Sequence, residues 1–163
     1  MTIKELLNYY KAGHDDLQNA LKELPMEMWD FKPAPEKWSI REIIVHVTDS
    51  EANGYVRCRK IVAENGSEVT AYDQDAWAEN LLYASRSIDS NLELFKIFRI
   101  INYTLLNDLP EEKWNNYLKH PEYGKMTLYD HVKLYADHVY GHINQMKRNL
   151  EDWRKFVNAA PDN

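Results

Sequence analysis

Apolar side chains recur at helical spacing in long stretches of the chain. The first carries Ile3, Leu6, Leu7, Tyr10, Leu17, Leu21 and Leu24 and stops before Pro25. Thr2 stands ahead of it with Glu5 at the third helical position, a pair whose side chains reach each other's backbone N–H as a capping box. A second box, Ser39 with Glu42, predicts a helix from Ile40 to about Glu64, with Trp38 and Ile43 spaced as a hydrophobic staple. Asn65, Gly66 and Ser67 break that helix. A third is predicted from about Ser87 to Leu109, closed by Pro110. The fourth opens at Thr127 with Asp130 as its capping partner, and carries Leu128, Val132, Leu134, Val139, Ile143, Met146 and Leu150 on one face. Between the second and third, YDQDAWAEN predicts a short helical turn, while MEMWDFKPAPEKW and EEKWNNYLKHPEYGKM read as loops.

A repeat links the two halves of this pattern. Helix one ends in LPMEMW (Leu24 to Trp29) and helix three in LPEEKW (Leu109 to Trp114), each followed by a loop and a capped helix. Two helix-loop-helix units, each with an exposed apolar stripe, bury it by packing as two antiparallel hairpins, which predicts an all-α four-helix bundle with a pseudo-twofold relation. The long connection between helices two and three leaves room for a crossover. One domain is expected over residues 1–157, with 158–163 as a C-terminal tail whose last residues, PDN (161–163), fray.

Composition narrows the function. With 163 residues and 44% hydrophobic content, the chain suits one sizeable core. The net charge is −6 and the Lys and Arg residues lie among acidic neighbours, so nucleic acid is not an expected partner. No apolar run approaches the roughly 20 residues of a membrane span, and Lys4, Glu5 and Lys11 interrupt the beginning, so an intracellular protein that binds no membrane is expected. Cys58 is the single cysteine, which excludes an internal disulfide, and it reads as core filler.

The chemistry lies with the histidines. His138 and His142 are one helical turn apart, about 40° around the axis and about 6 Å along it, so both imidazoles can converge on one ion. His46 sits beside Ile43 and Val47 on the inward stripe of helix two. Counted from the caps at Ser39 and Thr127, it lies within one turn of the level of His138. Three histidines from two helices leave a coordination position for water or substrate, as catalytic sites do. His131 is about 10.5 Å from His138 along the axis and reads as buried or at the rim, His14 has no evident partner, and His120 falls in a loop at the surface. Asp49 and Gln145 project near the ligand face, where they orient an imidazole, take a proton or bond substrate, or else are ordinary surface groups. Tyr135, one turn before His138, is the better placed tyrosine for a pocket hydroxyl. Imidazole suits zinc, nickel, iron and copper alike.

Three segments together, WSIREIIVHVTDSE (Trp38 to Glu51), DQDAWAEN (Asp73 to Asn80) and MTLYDHVKLYADHVYGHINQM (Met126 to Met146), resemble the DinB-like (DinB/YfiT-like) superfamily of small bacterial four-helix bundles, over nearly the whole chain. The resemblance implies up-down-down-up helix order and a divalent metal, zinc, nickel or manganese, on His46, His138 and His142. It also implies that Asp75 and Trp77 line the pocket mouth, although Trp77 equally suits a core plug. Relatives of this kind include S-transferases that use a low-molecular-weight thiol such as bacillithiol, so the first expectation is metal-assisted thiol transfer to a small electrophile. Metal-dependent hydrolysis is the alternative, and a non-catalytic metal-binding or stress-response bundle is a reading of another class. A small-molecule substrate and a homodimer complete the expectations.

Overall fold

Thr2, Ser39 and Ser87 each cap the helix that follows them, and the computed structural model, which describes residues 1–159, shows how local rules set these starts. Helix α1 spans Ile3–Lys22 and α2 spans Ile40–Ala63, both with complete capping boxes. A short α3, Gln74–Asn80, is capped by Asp73, and α4 covers Ile88–Asn107. The last helix, α5, runs from Leu128 to Ala159, with Thr127 and Asp130 bonding each other's backbone N–H. Helix α5 thus includes residues 158 and 159 of the expected tail, while the expected fraying of 161–163 lies outside the described residues. The repeated LPxxxW segments become 3-10 turns at Met26–Met28 and Glu111–Asn115.

Cross-helix contacts fix the directions. Tyr129 bonds the Met1 carbonyl and Tyr9 stacks on Tyr140, so α1 and α5 run parallel. Asn149 bonds the Trp38 carbonyl and His131 the Gly54 carbonyl, so α2 runs against α5. Thr48 bonds the Asn91 carbonyl and Arg59 reaches Asn102, so α2 and α4 are parallel. The order is up-down-down-up, with neighbours α1–α5–α2–α4 closing back to α1. This corrects the expectation of two packed hairpins: α1 and α2 lie across the diagonal, as do α4 and α5, and each half of the repeat packs on the other half.

Two apolar clusters fill the interior. One gathers Leu17, Ile43, Phe95, Ile143 and Met146, with Trp38 packed against it; the other gathers Leu6, Cys58, Ile61, Leu118 and Leu128. Where they meet, Arg99 of α4 donates to the Tyr10 carbonyl on α1 (2.7 Å) and the Tyr135 carbonyl on α5 (2.7 Å), and pairs with Glu51 on α2 at 2.9 Å. Tyr10 donates to Glu51 and Asn102 donates to the Tyr10 hydroxyl. One buried guanidinium thus ties all four long helices together. Gly54 permits the close α2–α5 approach, since a Cβ there would stand 2.5 Å from the Tyr135 ring.

The segment expected as a loop after α4 contains a hairpin, β1 (Tyr117–His120) with β2 (Gly124–Thr127), paired from Tyr117↔Thr127 to His120↔Gly124. Gly124 adopts φ +68°, a conformation that suits glycine at this tight connection. The chain after α2 runs along β1, with Gly66 N–H on the Tyr117 carbonyl and Val69 N–H on the Lys119 carbonyl. The hairpin turns His120 inward to 6% exposure, which overturns its expected surface position. No described helix is long and apolar enough to cross a membrane.

Candidate metal centre

The phase that buries Ile43 and Val47 of α2 also turns His46 inward, to 1% exposure. On α5, His138 and His142 flank the buried Val139 one turn apart and face the same interior. His46 Nε2 and His138 Nε2 are 3.2 Å apart, and His142 Nε2 and His138 Nε2 are 3.0 Å apart. The three prospective ligand atoms lie within 4.8 Å of one another. Their approach does not follow from equal distance to the helix caps, as the sequence suggested. Because α2 and α5 are antiparallel, Trp38 at the start of α2 meets Asn149 late in α5, and His46 arrives opposite the middle of α5.

The donor set fits a divalent cation. Nitrogens sharing a tetrahedral ion at about 2.0 to 2.1 Å stand about 3.3 Å apart, near the spacings observed. Burial, reinforced by the neighbouring imidazoles, pushes His46 down to about 3 and His138 to about 2, and burial also lowers His142. All three are neutral at physiological pH, as ligands must be. His142 Nδ1 donates to Gln145 Oε1 at 2.9 Å, which puts the proton on Nδ1 and leaves the Nε2 lone pair facing the cluster. Among the described residues His46 Nδ1 is buried with no partner, and the Trp38 ring covers His46 (4.5 Å) and stacks over His142 (6.4 Å).

A cavity of about 420 Å³ opens on the other side, lined by His46, His138, Ser50, Arg57, Tyr72 and Tyr135 among others. Tyr135 is among the lining residues, with its hydroxyl 3.4 Å from Arg57 Nη1. Asp49 does not line the cavity: its carboxylate accepts from the Tyr83 hydroxyl at 2.6 Å and anchors the turn after α3. Asp75 is exposed and outside the lining, where its neighbours Asp73 and Gln74 stand instead. Trp77 is also outside, packed on Tyr72 at 4.6 Å and so supporting a wall residue from behind. Sequence reasoning missed Arg57, Ser50, Tyr72 and His120, although Ser50 and Arg57 stand four and eleven residues after His46 on the same face of α2, a spacing that could have found them; Tyr72 and His120 come from the connection after α2 and from β1. For His120 there was a signal, an alternating Leu118, His120 pattern followed by a short loop ending in glycine. Cys58 is 1% exposed and burial raises its thiol to about 12, leaving it protonated and inert.

One further histidine makes folding sensitive to acid. His131 donates from Nε2 to the Gly54 carbonyl at 3.0 Å, its Nδ1 is buried without a partner among the described residues, and burial lowers it from 6.5 to about 4. The unfolded chain takes up this proton near pH 6.5 and the folded protein only near pH 4, so stability falls as pH drops through that window. The expected contribution is about 3 kcal/mol. It is read as the part of the pH dependence of the urea midpoint that disappears in His131→Gln. An unchanged pH dependence in that variant would remove His131 as the cause.

A sequence model described as the DinB superfamily matches residues 9–146. A protein of Oceanobacillus iheyensis, named provisionally as a metal-dependent hydrolase, is 29% identical over 154 residues, spanning 93% of this chain and 88% of its own. A Bacillus cereus protein with the same designation is 27% identical over 154 residues, spanning 90% and 88%. Among solved structures, YfiT from Bacillus subtilis, described as a metal-dependent hydrolase of provisional assignment with an unusual four-helix bundle topology, superposes with a TM-score of 0.83 at 21% identity, over 90% of this chain and 85% of that one. A mycothiol-dependent maleylpyruvate isomerase superposes with a TM-score of 0.70 at 10% identity, over 90% of this chain and 61% of that one. At these identities the structural likeness is one of fold.

Proposed function

Since the chain belongs to the DinB superfamily, we propose that it is a metal-dependent hydrolase of small molecules, with His46, His138 and His142 holding a divalent ion. The observation that carries this reading is the cavity: a purely structural metal is closed off by its ligands, whereas here two of the three histidines front an open space of about 420 Å³. A bound divalent ion there supplies Lewis-acid polarisation and lowers the pKa of water toward neutrality. The chain's own residues do the rest. Gln145 holds His142 in the tautomer that presents Nε2, and Trp38 shields the imidazoles from behind. Ser50, Tyr72 and Tyr135 offer hydroxyls along the wall to orient a substrate.

The names of the curated relatives support hydrolysis over thiol transfer, the first expectation from the sequence. The thiol-dependent isomerase contributes only a shared bundle. The experiment measures metal per chain in untagged protein, then turnover of a panel of small esters and amides with and without added thiol. Near-stoichiometric metal and thiol-independent hydrolysis restored by reconstitution are expected. Turnover that requires a thiol would replace hydrolysis by transfer, and absence of metal after reconstitution would end both readings. Gln145→Leu, which removes the acceptor for His142 Nδ1, is expected to weaken metal affinity about 10- to 100-fold in a chelator competition titration.

A further inference from the structure

Arg57 lines the same cavity as His46 and His138, yet it is only 8% exposed. Its Nη2 donates to the Thr70 carbonyl at 2.7 Å, and Nη1 reaches only the Tyr135 hydroxyl at 3.4 Å. Among the described residues, no carboxylate forms an ion pair with it. Buried guanidinium groups are ordinarily matched by an anion, as Arg99 is by Glu51 at 2.9 Å. The neighbouring lining groups are donors as well. His120 Nδ1 accepts from the Glu122 N–H at 3.2 Å, so its proton resides on Nε2, and Tyr72 and Tyr135 carry hydroxyls that burial keeps protonated. The acidic lining residues, Asp73 and Glu122, are exposed.

We propose that Arg57 is an oxyanion-binding residue, and that the molecules this cavity accepts are small compounds bearing a carboxylate or phosphate. A planar guanidinium that commits two of its five N–H donors, one of them at 3.4 Å, keeps others to offer to the oxygens of such an anion. The assignment deepens the hydrolase reading, because an anchored oxyanion would hold a neighbouring ester or amide toward His46 and His138. The anion site itself needs only Arg57 and the wall, so it is tested separately from the metal.

The probes are succinate, inorganic phosphate, neutral dimethyl succinate and cationic 1,4-diaminobutane, titrated calorimetrically into chelator-stripped and metal-loaded protein. Stripping the metal removes direct anion ligation as a source of binding. At least one of the two anions is expected to bind about tenfold or more tightly than the neutral and cationic probes. That preference is expected to vanish in Arg57→Gln and to shrink in Arg57→Lys, which retains charge without the fork. Metal content measured on the same samples should match wild type in both variants. Equal binding of anionic and neutral probes, preference for the diamine, or an anion preference retained by both variants would overturn the proposal. Should Arg57→Gln fail to fold, Arg57→Lys alone decides between these outcomes. Loss of the anion preference with metal intact leaves the hydrolase reading standing, and absence of metal with the preference intact does the reverse.

Discussion

Replacing His138 with alanine is expected to abolish stoichiometric metal binding while leaving the helical bundle assembled. His138 is the member of the cluster whose Nε2 approaches both others, at 3.2 Å from His46 and 3.0 Å from His142. Without it, two imidazoles from different helices remain, and no described carboxylate or cysteine joins them as a replacement ligand. The wild-type protein, with metal at about 100 times its dissociation constant, should gain about 2.7 kcal/mol of stability, because the ion binds only the folded state. The variant should gain none. Urea midpoints with and without zinc, alongside elemental analysis, separate the outcomes. A variant that keeps near-stoichiometric metal, or the full metal-induced shift, would show that these histidines are not the ligand set.

Arg99→Met is expected to cost about 3 to 5 kcal/mol of stability. The substitution leaves Glu51, 2% exposed, without its counter-charge and, among the described residues, with the Tyr10 hydroxyl as its remaining side-chain partner, and it strips the Arg99 donors from the Tyr10 and Tyr135 carbonyls. Removing both charges together, as Arg99→Met with Glu51→Leu, should recover much of that loss, since a matched apolar pair avoids the stranded ion. Denaturant unfolding of the two single variants and the double variant forms the cycle. A single variant within about 1 kcal/mol of wild type would mean that the pair contributes little. The same substitution bears on the site, because Arg99 holds the carbonyl of Tyr135, one turn before His138, and the carboxylate of Glu51, five residues after His46. A slackened register between α2 and α5 would therefore show as weaker metal binding as well.

The legible and illegible parts of this protein divide by the range of the forces involved. Thr2 with Glu5 and Ser39 with Glu42 act within one turn of chain, so their helix starts could be read one residue at a time, and the structure repeats them. The His138 and His142 pair is equally local, since the helix alone puts two imidazoles on one face. The hairpin at Tyr117–His120 and Gly124–Thr127 was weaker in the pattern because four-residue strands carry little periodicity. Asp49 shows the limit of spacing: it lies one turn from His46, yet a hydroxyl on a distant turn, Tyr83, claims its carboxylate.

By itself the sequence determined four long helices, their inward faces, the histidines available on those faces and the family to which they belong. Capping and periodicity require no knowledge of what lies across the bundle. Only the tertiary structure decided that α1 and α2 sit on a diagonal and that His120 turns inward, while the up-down-down-up order that the resemblance implied is the one observed, with α2 running against α5 and His46 standing beside His138. It also showed Arg57 to be buried at the histidine cavity, with no carboxylate paired to it among the described residues. Those outcomes depend on which helices pack together and in what register, and here that is settled by contacts between residues far apart in the chain, Gly54 yielding to the Tyr135 ring and Arg99 bonding three other helices.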